Sequence, residues 1–438
     1  MVRIGLMASP IFESGRREFL AGLGAATLGQ ILSGAAAGAQ PLPLRAKIAN
    51  LALRPGLAET AVWSLEGPES ILRFKRGSEL AITLQNDLPA PVGLGWYGLD
   101  GMPSAEPLTA LAAPGAKASI TAPLRHAGTL FADLRLFTDG AGHPSRALSL
   151  VVEETEAPTV DRDEVFLIED FRLRADGTAI SPGSDAKDAA PLYAVNGRIL
   201  PDIAVHSNQR LRLRFINACQ RHVVAVKIEG LEVRVMAMDS QPAEPFPARN
   251  SALVLAPGGR ADAFVDATSP SGATSQILLH DGKEARPIAR LVTSTGPAAR
   301  TALLPVAPPL PSNRLPAQLD LRSAQRFEFA LQGGEWVAPA SFAATASPAF
   351  RVKPGRVVVL ALTNRAGIAT VFHLHGHHFR LLDRLDDGWK PYWLDTLALE
   401  PGETQRIAFL AEYAGRYLLE STATDWAAPR LVRWYAVE

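Results

Sequence analysis

The sequence predicts an all-β chain of consecutive sandwich domains, and three observations carry that reading. Apolar and polar residues alternate with a period of two in stretch after stretch, as in Ser70-Ile-Leu-Arg-Phe-Lys-Arg-Gly77 and Glu79-Leu-Ala-Ile-Thr-Leu-Gln-Asn86. Turn residues close these runs, with 35 glycines and 34 prolines spread over 438 residues. A phrase of basic residue, Gly turn, apolar-rich strand and Asn recurs at Arg76-Gly77 to Asn86 and at Lys353-Pro-Gly355 to Asn364, which makes the modules that hold it related to one another.

Charge excludes one class of function. The chain carries 44 basic and 44 acidic residues, a formal charge of zero, and no long run of either sign. That balance gives no electrostatic footprint for nucleic acid. The one cysteine, Cys219, rules out a disulfide within the chain and a cysteine-rich metal site. With Ile216-Asn217-Ala218 before it, it reads as a small core thiol.

Residues 1–39 read as a targeting segment. Arg16 and Arg17 precede a run without charged side chains from Phe19 to Leu44, and Ala37-Gly-Ala39 offers the small-x-small pattern of a cleavage site. This resembles a twin-arginine export signal. It implies passage through the twin-arginine translocase, a periplasmic location in a bacterium, and no stable membrane insertion after cleavage. The competing reading is an uncleaved anchor.

The first module spans 46–157 and the second 163–297, where Val165-Phe-Leu-Ile-Glu-Asp-Phe171 and Arg210-Leu-Arg-Leu-Arg-Phe-Ile-Asn217 again have period two. Residues 298–316 are proline-rich and read as a linker over the surface. The third module, 317–438, contains the only gathering of histidines: His373, His375, His377 and His378. On a continuous strand His373, His375 and His377 share one face, and imidazoles so placed can grip copper or zinc. Hydrogen-bonded histidines packed between modules are the competing reading.

The whole arrangement after residue 40 resembles the multicopper oxidases, which are built of three cupredoxin-like Greek-key β-sandwich domains. The phrases that carry the resemblance are Asn196-Gly-Arg198, Arg212-Leu-Arg-Phe-Ile-Asn217, Leu255-Ala-Pro-Gly-Gly-Arg260, the histidine strand, Asp395-Thr396 and Leu399-Glu-Pro-Gly-Glu-Thr404. The resemblance implies a trinuclear copper cluster held by eight histidines, and a mononuclear copper held by a cysteine and two histidines.

Most of those ligands are replaced. Gly95 and Tyr97 stand in Gly95-Trp-Tyr-Gly98, where the resemblance implies His-Trp-His-Gly. Asp133 and Arg135 stand where a His-x-His is implied, and a guanidinium cannot bind a cation. Thr370 replaces a histidine of the mononuclear site, while Glu420, Ser421 and Thr422 replace His-Cys-His. Only His373 and His375 match. A serine cannot supply the thiolate that makes an electron-transfer copper site.

In its missing ligands and its export route the chain is similar to bacterial members of the family that have lost their coppers, a cell-division protein among them. The expectation is a non-catalytic periplasmic scaffold without a cofactor, bound to an unidentified periplasmic protein partner. A buried ion pair of Arg135 with an Asp or Glu is expected to fill the space the coppers left. The alternative is an oxidoreductase or copper-handling protein with one copper at His373, His375 and His377, to which Asp133 or Glu420 adds oxygen.

Overall fold

A computed structural model describes residues 41–106, 111–140, 142–342, 347–382 and 390–438; the targeting segment lies outside the described residues. The fold is all-β: the described residues contain no α-helix, and their strands form six sheets. None of the described helical turns is long and apolar enough to cross a membrane.

In the first sheet pair, strands Thr60–Glu66, Leu42–Leu51, Glu79–Asn86 and Lys117–Pro123 make one sheet, and Ile71–Lys75, Leu148–Glu153, Gly128–Asp133 and Gly95–Tyr97 the other. Period-two alternation turns Leu44, Trp63, Ile82, Leu130 and Leu150 into the space between them. The second pair is larger, with a core that includes Phe166, Leu213, Phe215, Val226 and Ile277. The third closes over Leu360, Phe372, Phe379, Phe409 and Tyr435.

Each pair opens in the same way, with its first strand running parallel to a later one. Leu42–Leu51 lies beside Glu79–Asn86, Arg162–Arg172 beside Arg210–Asn217, and Gln325–Ala330 beside Arg356–Thr363. A parallel neighbour requires a crossover through the facing sheet, which is what ties the two layers together.

The repeated Asn is the clearest case of sequence becoming structure. Asn86, Asn217 and Asn364 are each fully buried. Each side-chain amide donates to two backbone carbonyls: Ala90 and Ala112, His222 and Leu255, or Ile368 and Leu399. Each side-chain oxygen accepts the N–H two residues on, from Leu88, Cys219 or Ala366. One residue type thus turns the chain out of a strand and satisfies an otherwise orphaned loop backbone. The Asn that closes the phrase seen twice in the sequence thus has a third counterpart in Asn217, without the Gly turn before its strand.

Residues 298–316 carry no strand, and they do not simply run over the surface. Arg210 donates to the carbonyls of Leu304 and Pro305 at 3.1 and 2.8 Å. Leu310 and Asn313 are buried, and Asn313 holds both the N–H and the carbonyl of Ala127 in the first sheet pair.

Candidate functional site

Of the positions singled out by the resemblance, Tyr97 meets His373, His375 and Glu420 between the first and third sheet pairs, with Gly95, Asp133 and Arg135 beside it. Strand Gly95–Tyr97 pairs with Gly128–Asp133, placing Gly95 opposite Asp133 and Tyr97 opposite Phe131. The Tyr97 and Phe131 rings stack at 4.4 Å, 1° from parallel. Tyr97 also lies 4.6 Å from the His373 ring and 5.6 Å from the His375 ring, which meet edge to face at 4.4 Å. A phenol thus occupies the side of the two histidines that faces the first sheet pair. Burial pushes its pKa up to about 12, so it stays neutral and donates its proton to Glu420 Oε2 at 3.1 Å.

Two arginines enter the same region. Arg135, 1% exposed, forms a close ion pair with Asp133, and its guanidinium also faces the Tyr97 ring at 5.0 Å. It reaches the second sheet pair as well, donating to the Ala218 carbonyl at 3.2 Å. The expected ion pair of Arg135 is present and its partner is Asp133. Glu420 pairs with a different cation, Arg430, which is 2% exposed. Burial lowers Arg430 to about 10, still protonated at neutral pH.

Nothing in the local sequence around Arg430 marks it. The signal lies in the hairpin of Gly415–Ala423 and Arg430–Val437, whose register sets Thr422 opposite Arg430 and leaves Glu420 as the diagonal neighbour.

The histidines do not share one face. Strand Thr370–Leu374 ends before His375, and the chain turns at Gly376, whose φ is +76°. A side chain there would clash with the Tyr417 ring, 2.3 Å from where its Cβ would sit, so glycine is required. His373 and His375 stay together. His377 swings into a tyrosine pocket, where its Nδ1 meets Tyr435 Oη at 2.7 Å and its ring meets Tyr417 edge to face. The expectation that His377 joins the other two is corrected by this turn.

His373 Nδ1 meets Thr396 Oγ1 at 2.8 Å, while its Nε2 is buried without a hydrogen-bond partner. His375 Nε2 lies 3.3 Å from Glu420 Oε2. Burial holds His375 down to about 4 and His373 well below the ordinary histidine value, so both are neutral at pH 7.

The remaining replaced positions are bound to protein. Thr370 Oγ1 donates to Asn364 Oδ1 at 3.2 Å, Ser421 Oγ to the Leu331 carbonyl, and Thr422 Oγ1 lies 3.4 Å from Arg430 Nη1. Gly95 leaves room for Asp133, whose Oδ1 would lie 3.3 Å from a Cβ there. Cys219 is buried and burial raises its thiol well above the usual range, as suits a core thiol. Trp393 is buried under Arg380 and Tyr392 stacks on Phe246, so both side chains serve packing; Trp389 lies outside the described residues.

A second polar cluster went unread in the sequence. His378, which leaves the turn on the side opposite to His377, meets Asp100 Oδ1 at 2.8 Å, and Asp100 Oδ2 meets His126 Nδ1 at 2.5 Å. Next to it, Arg260 of the second sheet pair grips Asp395 of the third with bonds of 2.9 and 2.7 Å.

Comparison with known proteins agrees with this architecture. Two family models described as multicopper oxidase match residues 162–274 and 311–438, together more than half of the chain. The multicopper oxidase MmcO of Mycobacterium tuberculosis is 24% identical over 455 residues, covering 88% of this chain and 86% of the relative. Among solved structures, a multi-copper oxidase from Pseudomonas thermotolerans has a TM-score of 0.77 at 23% identity, covering 90% of this chain and 98% of that one. Lac15 from a marine microbial metagenome has a TM-score of 0.73 at 25% identity, covering 91% and 100%. Three sheet pairs opened by the same crossover, together with these matches, place the chain in the multicopper oxidase family.

Proposed function

We propose that the chain is an exported, non-catalytic binding or scaffold protein that keeps the multicopper oxidase fold without its copper centres. The observation that carries this reading is what fills the space beside His373 and His375. The Tyr97 ring lies against both imidazoles, two buried guanidiniums repel a cation, and the carboxylates of Asp133 and Glu420 are each committed to an arginine. Among the described residues, no group of three His, Cys, Asp or Glu that includes either histidine brings its ligand atoms within 4.8 Å of one another. The residues present do not fit a copper cluster. Ser421 in place of a thiolate removes the electron-accepting copper as well.

The uncharged run after Arg16 and Arg17 supports export to a periplasm by the twin-arginine route, with the partner being another periplasmic protein. Fractionation of cells expressing an Arg16→Lys, Arg17→Lys variant checks the route, the expected result being retention in the cytoplasm.

One observation favours the alternative of a single residual copper: the partnerless buried Nε2 of His373. Oxygen uptake by copper-loaded protein with phenolic and cuprous substrates separates the readings. The scaffold reading expects no uptake above that of a His373→Ala, His375→Ala control. Turnover that this double substitution abolishes overturns it.

A further inference from the structure

We propose that Asp100, His126 and His378 form a zinc site at the junction of the three sheet pairs, sharing no residue with the region around Tyr97. One ligand atom from each lies within 4.8 Å of the other two. All three residues are buried, His126 being the most open at 8% exposure, which makes its edge the way in. Two imidazole nitrogens and one carboxylate oxygen suit zinc in a three-ligand arrangement with a fourth position open.

The backbone holds each ligand in place. Asp100 and His378 lie on two loops joined by a hydrogen bond from the Gly101 N–H to the Gly376 carbonyl at 2.9 Å. His126 precedes Ala127, whose N–H and carbonyl are both held by Asn313 at 2.9 and 2.8 Å.

The far side of His378 matches the role as well. Its Nε2 lies 2.6 Å from the Asp239 carbonyl, which can only accept, so that nitrogen carries a proton; Nδ1 donates to the Asp100 carboxylate at 2.8 Å and gives up that proton when it binds zinc. Metal-bound histidines are commonly oriented by such a bond from the other ring nitrogen.

Gln241, from the second sheet pair, defines the centre. Its Nε2 lies 3.1 Å from His126 Nδ1, 3.3 Å from Asp100 Oδ2 and 3.4 Å from His378 Nδ1. Its Oε1 accepts from Asn313 Nδ2 at 2.9 Å, which fixes the amide with nitrogen inward. The three ligand atoms therefore surround a point now filled by the amide nitrogen, at 3.1–3.4 Å against the about 2.0 Å of a zinc bond, so they must draw in around the metal. Zinc takes that point when the Gln241 amide withdraws. Because two ligands come from the first sheet pair and one from the third, zinc there cross-links them, and a cation bound only by the folded chain raises its stability.

The test is zinc alone, added to metal-stripped full-length protein, with content read by elemental mass spectrometry and stability by thermal melting. The proposal expects one tightly held zinc per chain and a melting temperature that rises with zinc. Both should be lost in His126→Ala and in His378→Gln, and kept in the His373→Ala, His375→Ala double variant. His126→Ala serves as the variant at the open edge, and its circular dichroism must match the parent. No tight zinc in the parent protein, or zinc kept by both single variants, overturns the proposal and leaves the cluster a metal-free hydrogen-bonded contact. Because His373 and His375 are not involved, neither result depends on the scaffold reading.

Discussion

Replacing Glu420 with Leu removes the centre of the packing beside the two histidines. Glu420 contacts Arg430 directly, accepts the Tyr97 phenol at 3.1 Å and faces His375 Nε2 at 3.3 Å. The other contacts of the Arg430 guanidinium are long, 3.4 Å to Thr422 Oγ1 and 3.5 Å to the Gln220 carbonyl. Without Glu420 a buried cation keeps no strong partner, a loss that costs about 3–5 kcal/mol. Arg430→Met strands the carboxylate instead and should cost a similar amount. Replacing both, with Glu420→Leu and Arg430→Met, removes both charges for side chains of comparable volume and should recover most of the loss.

Equilibrium urea unfolding of the four proteins supplies the double-mutant cycle. The expected coupling is several kcal/mol, favouring the pair. Single losses below about 1 kcal/mol, the range of exposed pairs, would refute the reasoning, as would additive losses in the double variant.

Other expectations follow from the same geometry. Folded His375 has its pKa lowered from 6.5 to about 4, so between those values the unfolded chain binds the extra proton. Stability from this group is full above pH 6.5 and lost as pH falls through 4, by on the order of 3 kcal/mol. Urea midpoints taken from pH 7 to pH 4 should fall more steeply for the parent than for His375→Phe. Asn217→Ala unmakes the two amide bonds to His222 and Leu255 and the bond from the Cys219 N–H. Its expected cost is about 2–4 kcal/mol in the same assay, since buried backbone groups are left unpaired. Cys219 should resist thiol reagents in the folded protein and react fully in urea, which mass spectrometry of the labelled chain reads directly.

The fold was legible because its signals are local. Alternation marks strands, Gly and Pro mark turns, and Asn86 and Asn364 announced a repeat that Asn217 completes. The replaced ligand positions were legible through the resemblance, and so was the need for an ion pair around Arg135. What escaped depends on register and on distance in sequence. Gly376 ends the histidine strand and sends His377 away, a turn that its glycine could have signalled. Arg430 meets Glu420 only through the pairing of two strands. Asp100, His126 and His378 come together from positions 26 and 278 residues apart, so no spacing pattern could have joined them.

Copper content after loading, with loose metal removed, in a His126→Ala background that silences the second cluster, tests whether a copper centre survives. A protein without its copper centres holds no copper tightly, and gives the same value when His373→Ala and His375→Ala are added. One or more copper ions per chain, lost on adding those two substitutions, would contradict the scaffold reading and restore a copper centre between Tyr97 and the histidine strand.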